Sequence, residues 1–359
     1  MVDTIVLILK DYDFQILGPD KFRPSAKLIN NNIRCIQNPS KKELNAGIYK
    51  PRLTIENKPN LRGNFETTLR IELSLPKFLF GNNLDELRYK DFIPLSNKLL
   101  TVLEDMGIKT TIKIIENALV SKIHYSKNIP LTDGSTPYHY INKIKEANVT
   151  LLLDVNQTSY RNEGNAYKWH CNSYEVMFYD KIKELESGKK QNKKNSDLLK
   201  KIAKIRKRKK FEILRIEVGL NKRTKIKQLF KKLNIKTDLT FKKLFKPSIS
   251  KKILLHYIDE IENKRPAIID YKGDDKKLLA ELFFNNPKIK PRLLFQFFGF
   301  KKILENMTIR ELRNIFSSHN KRNWYRLINE LNKVKLPETK NPFESIKKQL
   351  LKFKTIKLR

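Results

Sequence analysis

Two hydrophobic rhythms divide this chain, and the change between them near residue 220 limits the folds open to it. Before that point apolar and polar residues alternate over short runs, the period of a half-buried strand. Ile48–Ile55 and Thr67–Leu75 alternate in this way, and the turn formers of Asn57–Gly63 between them predict a hairpin. Thr4–Leu9, Ala118–Asn128 and Phe211–Leu220 also read as strands. Val149–Gln157 and Tyr167–Val176 read as a second hairpin around Asn162–Asn165. Leucines at helical spacing predict helices over Asp91–Met106 and Tyr138–Ala147. After about residue 225, Leu, Ile and Phe recur only at three- and four-residue spacing. The expected fold class is therefore α+β: an antiparallel-sheet domain with helices over residues 1–225, then an all-helical domain over 226–359.

Charge narrows the function. Among 359 residues there are 75 Lys and Arg against 38 Asp and Glu, a net charge of +37. A field of that sign and size draws polyanions, so nucleic acid is the expected partner. Lys189–Lys210 concentrates the charge, with twelve basic residues and the single acid Asp197. Leu198, Leu199, Ile202 and Ile205 within it predict a basic helical insertion with a thin apolar stripe, the alternative being a solvated basic excursion. No run approaches the roughly 20 apolar residues of a membrane span. Met1–Lys10 lacks the pattern of a signal peptide. Cys35 and Cys171 are too few for a disulfide scaffold or a four-thiolate zinc site, and a reducing, cytoplasmic setting is expected. No phosphate-binding loop or dinucleotide-binding glycine turn is present.

Four places carry candidate chemistry. On Phe211–Leu220, Arg215 and Glu217 share the polar face opposite Leu214, Ile216 and Val218. His124 and His170 occupy the polar faces of two other strands. Each taken singly also reads as a surface ion pair or a hydrogen-bonded structural histidine. Together, imidazoles and a carboxylate are a donor set that suits Mn²⁺, Mg²⁺ or Zn²⁺, with Mg²⁺ or Mn²⁺ expected. In Tyr174–Glu184 a strand runs into a helix, with Tyr179 expected at the helix start and Lys183 on the same helical face. Tyrosine serves as a nucleophile on a phosphodiester when cations stabilise the developing charge. A packed tyrosine at an amphipathic helix start is the plainer alternative.

These segments, in this order, resemble the gene II and gene X type replication initiators of filamentous phages. The likeness begins at Met1-Val2-Asp3 and continues through Leu69–Asn82, Ser121–His124, Val176–Lys183 and Leu214–Val218. Near the C-terminus Phe298–Phe300 and Trp324–Arg326 echo that family's last domain. The resemblance implies a sheet related to the HUH endonucleases and a metal-dependent, origin-specific nickase of rolling-circle replication. It implies Tyr179 as the nucleophile that takes the 5′-phosphate, Lys181 or Lys183 beside that phosphate, and Glu217 as a metal ligand. His124 stands where the family has an aspartate, and His170 has no counterpart there. DNA would be the partner, single- and double-stranded, with host helicase and polymerase as further partners. Arg215, Lys200, Lys201, Arg206 and Arg208 are candidate DNA contacts. So are Lys321, Arg322 and Arg326, on the third of three short helices expected over Pro291–Lys333. Alternatives are a relaxase or transposase of the same chemistry, and a non-catalytic nucleic-acid-binding protein.

Overall fold

A computed structural model describes residues 1–24, 33–40, 42–43, 46–59, 65–147, 165–187, 193–208, 211–264, 267–271, 273–337 and 341–357. The protein is mixed α+β, built on a large antiparallel sheet. Its strands are β1 (Val2–Lys10), β3 (Arg23–Pro24), β4 (Ile33–Gln37), β5 (Arg52–Pro59), β6 (Phe65–Ser74), β8 (Leu119–Leu131), β9 (Ala166–His170), β10 (Tyr174–Asp180) and β11 (Glu212–Leu220). They pair in the order β3-β4-β5-β6-β1-β8-β11-β10-β9. Two short strands, β2 (Gln15–Ile16) and β7 (Ile108–Lys109), form a separate pair.

The alternation read in the sequence sorts the sheet into two faces. Ile5, Leu7, Leu9, Leu69, Ile71, Ile123, Phe178, Ile216 and Val218 are all fully buried. Trp169 stacks on Phe178 at 5.6 Å within this apolar layer. The opposite face carries the charged and polar members of the same strands, from Glu72 on β6 to Glu217 on β11. A register shift between Val2 and Ile5, where β1 pairs with β8, turns Asp3 towards that polar face.

Beyond the start of β1 the strand β8 continues to Leu131, and the 81–88 loop takes the place of the missing neighbour. Glu86 accepts the Asn128 backbone N–H at 2.6 Å, and Asn128 Nδ2 donates to Leu84 O at 2.8 Å. Gly81, with φ of 77°, ends the Leu75–Phe80 helix in the left-handed conformation and opens this loop. Residues 349–357 then return to the same region. Glu86 and Ile356 exchange backbone and side-chain hydrogen bonds, and Gln349 Nε2 donates to Pro130 O at 3.1 Å.

Backbone contacts in space divide the molecule into two units, each discontinuous along the chain. The first comprises Met1–Tyr138, Leu153–His256 and Gln349–Arg359; the second comprises His139–Leu152 and Tyr257–Lys348. The boundary expected at residue 225 is thus displaced, because Ile226, Leu229 and Phe230 bury themselves in the first unit on a helix beside β8 and β11. The second unit is helical. Leu278, Leu282, Leu294, Phe297, Phe300 and Trp324 form its core. The three expected helices are Pro291–Asn306, Ile309–His319 and Lys321–Leu331. Thr308 and Glu311 form a capping box at the second. Among the described residues no helix is long and apolar enough to cross a membrane.

Two local expectations are corrected. Val149–Gln157 lies outside the described residues, and Tyr167–Val176 is not one strand. It breaks at Cys171–Ser173 into the β9–β10 hairpin, closed by Cys171 N–H donating to Tyr174 O at 2.9 Å. Tyr179 does not start a helix; it sits in β10, and the helix begins at Lys181 with Asp180 as its N-cap.

Candidate functional site

Strand register assembles the site on the polar face. His170, Glu175, Gly219 and His124 lie side by side across β9, β10, β11 and β8. The next row is Lys168, Met177, Glu217 and Ser126, and the next Ala166, Tyr179, Arg215 and Asn128. Paired residues in antiparallel strands point to the same side. Three candidates distant in sequence, His124, Tyr179 and Glu217, therefore meet.

Glu217 is the junction. His124 Nδ1 donates to its Oε1 at 3.0 Å, and the Tyr179 hydroxyl donates to its Oε2 at 3.2 Å. Arg215 Nε lies 3.5 Å from Oε2. The other imidazole nitrogen, His124 Nε2, faces Glu175 Oε1 at 3.4 Å and Asn221 Oδ1 at 3.3 Å. Glu175 in turn binds Lys168 Nζ at 2.5 Å. Gly219 permits this convergence, since a Cβ there would lie 2.7 Å from His124 Nε2 and 2.8 Å from Glu175 Cγ.

Arg215 anchors the cluster from below. Its side chain is 2% exposed and reaches four segments. It donates to Asp3 Oδ1 at 2.7 Å, Asn83 O at 2.9 Å and Asn128 Oδ1 at 3.2 Å, besides facing Glu217. With its guanidinium enclosed by protein acceptors, Arg215 is not the DNA contact the sequence suggests. Lys181 is fully buried as well, with Nζ 5.6 Å from the centre of the Tyr179 ring and 2.6 Å from Glu184 Oε2. Lys183 is not beside Tyr179. Its Nζ donates to Asn165 Oδ1 at 3.0 Å, because the strand-to-helix break after Asp180 ends the shared periodicity.

Burial and charge set the protonation of the cluster. Burial favours a neutral Glu217, but the hydrogen bond from His124 and the charge of Arg215 outweigh it and hold the carboxyl well below the usual carboxylate range. Burial pushes the Tyr179 phenol well above its ordinary value; Arg215 opposes this and Glu217 reinforces it. Burial, aided by Arg215, lowers Lys181 to about 8, against the pull of Glu184.

His124, Glu175 and Glu217 are donors of the right kind for a hard divalent cation. As placed, the imidazole stands between the two carboxylates. Among the described residues no group of three or more His, Cys, Asp or Glu side chains is arranged to hold one ion. His170 lies three strand spacings from His124, about 14 Å between backbones, so Glu175 and not His170 stands against His124. The His170 Nδ1 atom is buried without a hydrogen-bond partner. Glu175 and Asp3 are the members that the sequence reading missed. Glu175 alternates with Met177 and Tyr179 and was legible in principle, whereas Asp3 has no signal beyond its place in the opening tripeptide.

The basic helix Lys193–Arg208 docks through Leu198 and Ile202, which pack with Ile182, Leu185 and Ile213. Lys200 and Lys201 are exposed, and Arg206 is ion-paired with Glu212. In the second unit Arg322 and Arg326 are exposed beside the buried Trp324. The turn before their helix is the single residue Asn320, which caps one helix and starts the next; a helix-turn-helix ordinarily uses three or four residues. The side chains of Arg208 and Lys321 lie outside the described residues.

No protein-family model, curated protein or solved structure matches the chain.

Two outcomes follow from the cluster. Arg215→Met leaves Asp3 and Glu217 buried without their cation and should cost about 3–5 kcal/mol in chemical denaturation. Below about pH 8 both folded and unfolded chains hold the Lys181 proton, and the buried charge weakens the fold in full. As pH rises from about 8 towards 10.5 the folded chain releases that proton first, so its contribution to stability climbs. Lys181→Met should remove that climb from denaturation curves recorded between these pH values.

Proposed function

We propose that this protein initiates rolling-circle DNA replication by nicking and rejoining one strand at an origin. The observation that carries the reading is the Tyr179–Glu217–His124 chain, a phenol, a carboxylate and an imidazole in contact on the polar face of the sheet. The net charge of +37 supports a polyanionic substrate. The order of motifs shared with the filamentous-phage initiators supports the reaction class and an HUH-like sheet. An aspect of the site favours a non-catalytic nucleic-acid binder instead: Glu217 is already paired with a buried Arg215.

In the proposed reaction Tyr179 Oη attacks the scissile phosphorus and forms a 5′-phosphotyrosine, while the bond to the 3′ oxygen breaks and that oxygen takes a proton from water. The phenolic proton passes to Glu217, the group that already accepts its hydrogen bond. The raised phenol and the depressed carboxyl make this transfer uphill in the resting site. The positive charges of Arg215 and Lys181 lower its cost by stabilising the phenolate. Attack of the 3′ hydroxyl on the phosphotyrosine reverses each step and rejoins the strand without ATP. A bound Mg²⁺ or Mn²⁺ would withdraw charge from the phosphate oxygens; His124, Glu217 and Glu175 would hold one only once the imidazole left its place between the two carboxylates. DNA is the proposed partner in both units, the exposed Lys200, Lys201, Arg322 and Arg326 offering phosphate contacts. Host helicase and polymerase would follow the nick in the cytoplasm.

Tyr179→Phe should abolish nicking of a supercoiled plasmid carrying the origin and the covalent protein–DNA adduct, while DNA binding by mobility shift persists. Cleavage by this variant would assign the nucleophile elsewhere and sink the reading.

Binding should be steeply salt-dependent. Each neutralised phosphate contributes about −0.9 to the log–log slope on duplex DNA, so six contacts give about −5. Replacing the exposed Lys200, Lys201, Lys204 and Lys207 with Gln should flatten a slope measured by fluorescence anisotropy.

A further inference from the structure

The second unit exposes aromatic rings that its own core does not use. Phe284 is 86% exposed, Phe295 55% and Phe283 37%. Phe283 and Phe284 lie near the end of the Asp275–Asn285 helix, and Phe295 lies in the first turns of the Pro291–Asn306 helix. The rings of Phe283 and Phe295 meet edge to face at 5.5 Å. Between the helices runs a tight turn whose Lys288 and Lys290 are exposed, followed at once by the exposed Arg292. Among the described residues no ion pair engages these three cations. The acid in the turn before Phe283 is already matched, Glu281 lying 3.9 Å from Lys277.

The turn is held rigidly. The buried Asn286 donates to Leu282 O at 2.8 Å and Lys335 O at 2.9 Å, and it accepts the Lys335 N–H at 2.7 Å. The rings are therefore presented on a fixed support. A solvent-exposed phenylalanine with unmatched cations beside it has the two elements of single-strand recognition, a π-face for a base and positive charge for the backbone. Consecutive helical residues diverge by roughly 100°, so Phe283 and Phe284 would take different bases. A protein core would be a poor neighbour for these three cations, and an anionic lipid surface would match their charge but offer no flat face to the rings, whereas a polyanion with flat bases matches both features.

We propose that Phe283, Phe284 and Phe295, with Lys288, Lys290 and Arg292, form a stacking site for single-stranded nucleic acid on the second unit. The site shares no residue with the Tyr179 cluster and does not depend on whether that cluster nicks DNA. It would give the second unit a hold on an unpaired strand, independent of sequence, because every base has a face to stack.

The test is Phe284→Trp in the full chain. Both native tryptophans, Trp169 and Trp324, are 2% exposed, so an indole at position 284 would report on a surface they do not sample. Titration with an oligo(dT) of about ten nucleotides should quench it, and an abasic oligonucleotide of the same length should not. Phe284→Ala should weaken oligo(dT) binding roughly 5- to 150-fold, corresponding to about 1–3 kcal/mol per stacked base, and leave abasic binding unchanged. Equal responses to the two oligonucleotides, or a response to anionic lipid vesicles but not to oligo(dT), would overturn the proposal. So would wild-type oligo(dT) affinity in Phe284→Ala. Tyr179→Phe should retain the stacking site whatever its effect on cleavage, which keeps the two readings distinguishable.

Discussion

A guanidinium in the middle of a sheet must find a partner for nearly every donor, or the fold bears the cost of a buried charge. Arg215 meets most of that demand by donating to Asp3, Asn83 and Asn128, and its Nε, which has no hydrogen bond, lies against the Glu217 carboxylate at 3.5 Å; these partners belong to β1, the 81–88 loop, β8 and β11. One side chain thereby ties the beginning of the chain to a strand more than two hundred residues later. Such a pair is weak evidence of extra stability, since its attraction mainly offsets desolvation. Its effect is on geometry. With Arg215 in place, Glu217 is oriented to accept from His124 and Tyr179 at once, and the loop that closes the end of β8 has its backbone fixed.

The two faces of the sheet follow from the same strands and do different work. Val176, Phe178, Ile216 and Val218 fill the apolar layer, and alternating with them along the two strands come Glu175, Tyr179, Arg215 and Glu217. The polar side chains are long, and they need room to cross one another above the backbone. Gly219 supplies that room where His124 and Glu175 meet. An alanine there would keep the strand and the core but push the imidazole away from one of its carboxylates.

Much of the fold was legible because alternation is a strong local signal: β1, β5, β6, β8 and β11 stand within a few residues of where the sequence places them. The site was legible in kind, as the polar faces of three strands, but their convergence depended on the order β8-β11-β10-β9, which no local pattern reveals. That order also explains the misplacements. His170 and Glu175 face each other across a hairpin turn hidden in what reads as one continuous strand, so Glu175 went unnoticed. Tyr179 and Lys183 have helical spacing, yet the chain changes from strand to helix between them. Arg215 carries a charge that reads as surface, and only its three acceptors and the Glu217 carboxylate beside it show that it is enclosed. The domain boundary was placed too early because the helix at 223–232 has the rhythm of the second unit while its apolar residues pack in the first.

Residues 349–357 lie in the first unit although the second is interposed before them. Glu86, which stands in for the strand missing beside β8, completes its hydrogen bonds only with Ile356. During synthesis the sheet can therefore form its strands early but cannot seal that edge until the helical unit has been made. The chain trades the speed of local folding for a late, long-range closure. A ribosome-bound first unit would carry an open edge beside Asn128 and Arg215 for the time taken to translate about a hundred residues.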